Sequence, residues 1–163
     1  MWVTLILAMI LMATLFLMIL VAVALVQSKM LFKSAPKDIQ AAALEHEERF
    51  RGARMLGWVI LAVCAAGFVG VFVYAGWDGL RREYGFWMLA GRYLAMLYLL
   101  KAFDILFLDW FLLSKSHFFQ HFYPETEGCA GYHQFGFNRR EQLARIILFP
   151  FIALLLAWIC TLA

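Results

Sequence analysis

The stretch Trp2–Val26, WVTLILAMILMATLFLMILVAVALV, decides the class of this protein, because it contains no charged side chain over its whole length. About 20 mostly apolar residues suffice for a helix to cross the ~30 Å hydrocarbon core of a bilayer. The segment Ala22–Ala24 resembles a signal-peptide cleavage site. However, no Lys or Arg precedes the run, and the run is longer than the ~7–15 residues of a signal core. We therefore predict a membrane helix that is retained.

The overall composition supports the same class. The chain has 163 residues, of which 65% are hydrophobic and 15% are charged, and its mean hydropathy is +0.80. Soluble domains are about 45–50% apolar and about 25% charged. These values exclude a soluble globular domain, a disordered chain, a collagen and a nucleic-acid-binding arm. The three cysteines form no disulfide framework, and the absence of a Walker loop argues against ATP hydrolysis.

Three further apolar stretches complete the predicted architecture, which is a single all-α membrane domain over residues 1–163. The predicted four-transmembrane-helix bundle has spans at about 2–26, 53–77, 86–113 and 143–161, with loops at 27–52, 78–85 and 114–142. Residues 34–51 of the first loop have an amphipathic pattern that is typical of an interfacial helix on the membrane surface. The third loop is rich in aromatic residues, which predicts that it folds back against the membrane face or the bundle.

The distribution of Lys and Arg predicts the orientation. Most of these residues lie in the first and third loops: Lys29, Lys33, Lys37, Arg49, Arg51, Arg54, Lys115, Arg139, Arg140 and Arg145. The opposite side carries only Arg81, Arg82 and, just inside the third span, Arg92. Cytoplasmic loops carry the excess of positive charge. We therefore expect a multi-pass protein of the plasma (inner) membrane with a cytoplasmic interfacial helix and both termini outside the cytoplasm.

The third predicted span contains three ionisable residues, Lys101, Asp104 and Asp109. A charge at mid-bilayer costs at least ~2.5–3.5 kcal/mol, so such groups normally face a partner or water. On an α-helix these residues and Tyr98 share one side. One interpretation is a polar centre that binds or relays a small ligand or ion, as in a transport-associated protein. The other is a structural Lys101–Asp104 ion pair that locks the helix against its neighbours.

The third loop holds a second group of candidates, His117, His121, Glu125, Glu127 and Tyr132. His117 and His121 share a face if the third helix continues beyond the membrane, and this spacing is half of a common zinc or iron site. No cofactor is expected, but a divalent metal is one that His117 and His121 could hold. The alternative function is a membrane-interface enzyme that acts on a lipid or quinone headgroup through these side chains.

Two further expectations concern contacts. Glu125 and Glu127 are expected to pair with Lys115, Arg139 and Arg140, which would hold the third loop down as an ordered lid. Small residues recur at four-residue intervals in the second span, a spacing that allows close helix approach within the chain or between copies. The predicted partners are therefore membrane lipids, together with a second copy or a larger membrane complex in which this chain is a structural subunit. No nucleic acid is expected.

The segments FDILFLDW (103–110), PETEG (124–128) and GYHQFGF (131–137) resemble a pattern in a family of small, uncharacterised four-helix bacterial integral membrane proteins. The resemblance implies a four-helix fold and suggests that Asp104, Asp109, Glu127 and Tyr132 form one unit. It implies no activity. The sequence departs from the pattern at Glu125, where the family has Gly, and at Asn138, where it tends to have His.

Overall fold

The computed structural model describes residues 2–28, 35–134, 136 and 138–162. The sequence predictions that involve Lys29, Lys33, Ser34, Phe135 and Phe137 lie outside the described residues.

The described chain is helical, without any strand, so the predicted all-α class is confirmed. Helix α1 spans Trp2–Val21 and continues as a π-helix over Ala22–Val26. Helix α4 spans Phe86–Phe103 and likewise continues as a π-helix over Asp104–Leu113, here called the π segment. The other helices are α2 (Lys37–Ala42), α3 (Ala53–Arg81), α5 (Phe118–Phe122) and α6 (Arg139–Leu162). Two 3-10 turns follow α5, at Pro124–Thr126 and Ala130–His133.

Three helices among the described residues are long and apolar enough to cross a membrane: Trp2–Val26, Ala53–Arg81 and Arg139–Leu162. These helices are what a membrane protein requires, since a helix satisfies all its backbone polar groups internally. The predicted third span is helical throughout 86–113, but Arg92 and Lys101 dilute its apolar character, and it is not among the three.

Helix α3 extends beyond the predicted end of the second span and takes up half of the predicted loop 78–85. Its last turn is closed by Glu83, which has a left-handed φ of 57°. The N–H of Tyr84 then donates to the carbonyl of Gly79 (3.0 Å), an arrangement that satisfies a terminal helix carbonyl. The connection to α4 is therefore shorter than predicted.

The prediction of an interfacial helix over residues 34–51 is wrong in extent. Helix α2 ends at Ala42, and Ala43 is extended (φ −62°, ψ 129°). The N–H of Leu44 donates to the Glu125 carboxylate (3.0 Å) instead of continuing the helix. A contact with the third loop, which no helical periodicity encodes, therefore ends this helix.

The π segment also differs from the sequence expectation. The single-face calculation for Lys101, Asp104 and Asp109 assumed α-helical winding to Leu113, but the helix changes to π winding at Asp104. Because a π-helix joins residues five apart through its hydrogen bonds, Asp104 and Asp109 come closer to one face than an α-helix would bring them.

The described chain forms two compact units. The first comprises residues 2–15, 65–103 and 139–162. Its core contains Leu89, Tyr93 and Met96 of α4 together with Ala153 and Ala157 of α6, all buried. The two alanines lie four residues apart on α6, and such small side chains let helices approach closely.

The second unit comprises residues 16–28, 35–64, 104–134, 136 and 138. Its core contains Val23 of α1, Ile39 of α2, Ala43, Tyr123 and Tyr132. The third loop supplies both tyrosines, and further aromatic side chains pack around them. The ring-rich third loop is folded here because burying these rings removes a large apolar area from water.

Candidate ligand-binding site

The polar residues of the third predicted span are distributed over both units. Lys101 is buried in α4 of the first unit, with 5% of its surface exposed. Asp104 and Asp109 are half-buried in the π segment of the second unit. None of the three is without an interaction partner. The assignment of a binding or relay centre to these residues stays a prediction.

Tyr98, the fourth residue assigned to that centre, contacts α6 within the first unit. Its hydroxyl donates to the carbonyl of Ile146 (3.3 Å), and its ring centroid lies 6.0 Å from that of Phe149. These contacts give Tyr98 a role in packing α4 against α6.

An ion pair between α3 and α4 was not found by the sequence analysis. Arg92 Nη2 donates to Asp78 Oδ2 (2.7 Å), and Arg92 Nη1 donates to the carbonyl of Ala75 (3.0 Å). Arg82 Nε donates to the other oxygen of Asp78 (3.0 Å). The sequence signal that could have revealed the pair is an acidic residue near the end of one helix and a basic residue near the start of the next, with a short connection between the two helices. The contact explains how an arginine is accommodated among apolar residues.

Glu125 joins the first and third loops within the second unit. Its Oε1 accepts hydrogen bonds from the N–H of Leu44 (3.0 Å) and from His46 Nε2 (2.9 Å). The prediction that Glu125 pairs with Lys or Arg is therefore wrong, because the 3-10 turn at Pro124–Thr126 presents the carboxylate to the chain that follows α2. Partial burial would raise the pKa of Glu125, but the hydrogen bonds from Leu44 and His46 lower it below its usual value.

The same two loops share a buried tyrosine cluster. The Thr126 hydroxyl donates to the carbonyl of Tyr123 (2.7 Å) and accepts from the Tyr132 hydroxyl (2.7 Å). The Tyr123 ring meets His46 edge-on at 5.2 Å. Burial, together with the charge of Glu125, raises the pKa of Tyr123 to about 12. Glu127, by contrast, is exposed, so a shared unit of Glu127 and Tyr132 stays a prediction.

The predicted histidine pair is divided between different surroundings. The π segment ends at Leu113, and His117 occupies the N-cap position of the separate short helix α5. Both histidines are exposed, but His117 lines a cavity, whereas the His121 ring contacts Phe122 (5.1 Å between centroids). Among the described residues, no group of three or more His, Cys, Asp or Glu side chains is arranged to hold a metal ion.

The cavity lies directly after the π segment and has a volume of about 250 Å³. It is lined by Leu113, Ser114, Lys115, Ser116, His117, Gln120, Tyr132 and His133. Three of these residues carry a nitrogen that binds anions: Lys115, His117 and His133. None of the lining residues in the described part of the chain carries a carboxylate. The cavity therefore favours an anionic group.

The serines of the cavity hold its wall in place. The Ser114 hydroxyl donates to the carbonyl of Asp109 (3.0 Å), and the Ser116 hydroxyl donates to the carbonyl of Leu112 (2.7 Å). These bonds satisfy terminal carbonyls of the π segment, which have no partner within the helix. Burial raises the pKa of Tyr132, although its hydrogen bond to Thr126 opposes this shift. Tyr132 is therefore a neutral phenol fixed in the wall.

Comparison of the chain with known protein families, with curated proteins and with solved structures finds no match. The three long apolar helices are compatible with a helical membrane protein.

Proposed function

We propose that this chain is a four-span protein of the plasma (inner) membrane that binds a small anionic ligand in the cavity at the end of α4, with both termini outside the cytoplasm. The observation that carries the proposal is the set of lining residues: Lys115, His117 and His133 line one cavity, and no carboxylate of the described chain lines it.

The fourth span is supported by the surroundings of α4 in the first unit. With its π segment, α4 covers 86–113, which is more than the ~20 residues that a membrane helix needs. Its Arg92 is buried against Asp78, with side-chain exposures of 3% and 10%. Pairing of this kind offsets the cost of a charge within a span. Four spans also agree with the concentration of Lys and Arg in the first and third loops.

The chemistry of the cavity supports an anion as the ligand. A lysine ammonium offers three donors, and an imidazole offers one or two according to its protonation. Hydrogen bonds to charged groups are shorter and stronger than neutral ones. The volume of about 250 Å³ lies just below the ~300–1,000 Å³ of pockets for drug-sized ligands. A single phosphate, sulfate or carboxylate group with a small substituent matches this size.

Inorganic phosphate is the probe that tests this proposal. The purified full chain in detergent is titrated with sodium phosphate while thermal unfolding is followed, with sodium chloride of equal ionic strength as the control salt. We expect a saturable rise in Tm with phosphate. The loss of the ammonium in Lys115→Gln, or of the imidazole donor in His133→Gln, should weaken the apparent affinity about fivefold or more.

Two matched variants separate the cavity from general surface charge. Lys37→Gln and His121→Gln remove the same residue types at exposed positions that do not line the cavity, and they should leave the titration unchanged. An equal response to chloride, or equal losses in the cavity variants and these controls, would contradict the proposed anion site.

A further inference from the structure

We infer that the anion is the phosphate of an anionic membrane lipid, whose headgroup enters the cavity at the end of α4 while its acyl chains stay in the bilayer. This inference rests on the proposed function and specifies the ligand of the same site.

The first support is that exposed aromatic rings lie next to the cavity at the end of the π segment. Trp110 and Phe111 are exposed, at 47% and 46% of their surface, and the cavity begins only two residues later at Leu113. Tryptophan favours the level of the lipid headgroups. A π segment with its exposed rings in the bilayer therefore places the cavity just beyond the hydrocarbon, where lipid phosphates lie.

The second support is the surface of the second unit near the start of α3. Phe50 and Trp58 are exposed, at 50% and 52% of their surface, and Arg49 and Arg51 are exposed beside Phe50 in the sequence. Exposed aromatic side chains interspersed with basic ones are typical of protein surfaces that contact anionic membranes. The Arg49 guanidinium also lies over the Phe122 ring (5.2 Å to the centroid), so this surface includes the third loop.

The third support is the match between charge and size. An anionic leaflet attracts each Lys or Arg that lies near it, and Lys115 places such a charge in the cavity wall. The volume of about 250 Å³ accommodates a headgroup but not two acyl chains. The exposed rings of Trp110 and Phe111 offer these chains an apolar surface adjacent in sequence to the cavity.

The experiment compares two lipids that differ in headgroup charge. The full chain is reconstituted into nanodiscs that contain phosphatidylglycerol and phosphatidylcholine in equal amounts and is then released into detergent. Native mass spectrometry measures which lipid stays bound. We expect preferential retention of phosphatidylglycerol, reduced about fivefold in Lys115→Gln and in His133→Gln. Lys37→Gln and His121→Gln should retain it as the wild type does.

A second measurement needs no variant and so does not depend on whether a variant folds. Phosphatidylglycerol with a photoactivatable group on its headgroup is crosslinked to the wild-type chain in nanodiscs, and the modified peptides are mapped. We expect modification within residues 113–133, and competition by unlabelled phosphatidylglycerol. Crosslinks confined to other segments would overturn the inference.

The remaining outcomes separate the two proposals. Equal retention of phosphatidylcholine, or equal losses in the cavity variants and the controls, would overturn the lipid assignment. If inorganic phosphate stabilises the protein through Lys115 and His133 while phosphatidylglycerol is not retained, the ligand is a soluble anion, and only the lipid assignment fails. If neither probe binds at the cavity, the proposed function fails as well.

Discussion

Two carboxylates of the third loop, Glu125 and Glu127, lie two residues apart and have different surroundings. The Glu125 side chain is 19% exposed and accepts two hydrogen bonds from the chain that follows α2. Glu127 is exposed. The free energy of unfolding should therefore depend on the charge of Glu125 but not on that of Glu127.

The contact of Glu125 should fail in acid. Because the pKa of Glu125 is lowered by folding, its contribution to stability is complete above the usual glutamate pKa and is lost as pH falls through the lowered value. Glu125→Gln should reduce the free energy of unfolding by about 1–3 kcal/mol at neutral pH and should flatten this acid dependence. Thermal unfolding across an acid pH series measures both effects. Glu127→Gln is the control, and an equal effect of the two substitutions would contradict the assignment.

The ion pair of Asp78 with Arg92 is the second case in which individual side chains should determine stability. Arg92→Met leaves the Asp78 carboxylate without its buried partner, and breaking a buried pair costs about 3–5 kcal/mol. The double variant Asp78→Asn/Arg92→Met should be less destabilised than the sum of its single variants. Unfolding in detergent measures the four free energies. The control, Arg82→Gln, removes the exposed partner of Asp78 and should reduce the free energy of unfolding only slightly. An equally small reduction for Arg92→Met would mean that the Asp78–Arg92 pair is solvated.

At the scale of elements, the close approach of α2 to the 3-10 turn Ala130–His133 determines how the two loops meet. The Gly131 N–H donates to Asp38 Oδ2 (2.6 Å). A Cβ at residue 131 would overlap Asp38 Oδ1 and would lie 2.5 Å from Pro36 Cβ. Only glycine allows this contact, although its backbone conformation is not the reason.

Gly131→Ala should therefore destabilise the second unit by about 1–3 kcal/mol, the typical cost of overpacking. Limited proteolysis of the folded protein should show faster cleavage within residues 43–52 and 117–134. Gly91→Ala is the matched control, since a Cβ there meets nothing within 4 Å and alanine favours a helix. Unchanged proteolysis of Gly131→Ala would show that the first and third loops accommodate the added methyl group without loss of stability.

At the scale of the whole molecule, the number of spans determines where the termini lie. Four spans place both termini on one side of the membrane, whereas the three most apolar helices alone would place them on opposite sides. The arrangement therefore depends on whether α4, with its paired Arg92 and buried Lys101, crosses the bilayer.

Reporter fusions distinguish these arrangements. An alkaline phosphatase fused after residue 163 should be active outside the cytoplasm, and one fused after Glu83 should be active as well. A fusion after Ser116 should be inactive, because Lys and Arg hold that loop inside. Fusions of a fluorescent protein at the same three sites should show the reciprocal pattern, with fluorescence only for the fusion after Ser116. An active phosphatase after Glu83 together with an inactive one after residue 163 would contradict the four-span proposal.

The sequence alone determined the class of the protein and the limits of its first long helix. Trp2–Val26 was predicted without error in its limits, because a segment surrounded by lipid must be apolar throughout and must satisfy its backbone hydrogen bonds locally. Both requirements are visible in consecutive residues. The same local logic predicted an aromatic loop that folds, since many aromatic rings are not left in water without cost.

Only the tertiary structure decided the details of the candidate site. Glu125 contacts His46 across 79 residues, and Gly131 contacts Asp38 across 93. The contact of Leu44 with Glu125 ends α2 at Ala42, and the contact of Gly131 with Asp38 holds the turn that contains Tyr132. The π winding of Asp104–Leu113 likewise cannot be recognised from the spacing of apolar and polar residues in the sequence. Each of these features depends on which distant side chains meet, and a pattern of neighbouring residues does not contain that information.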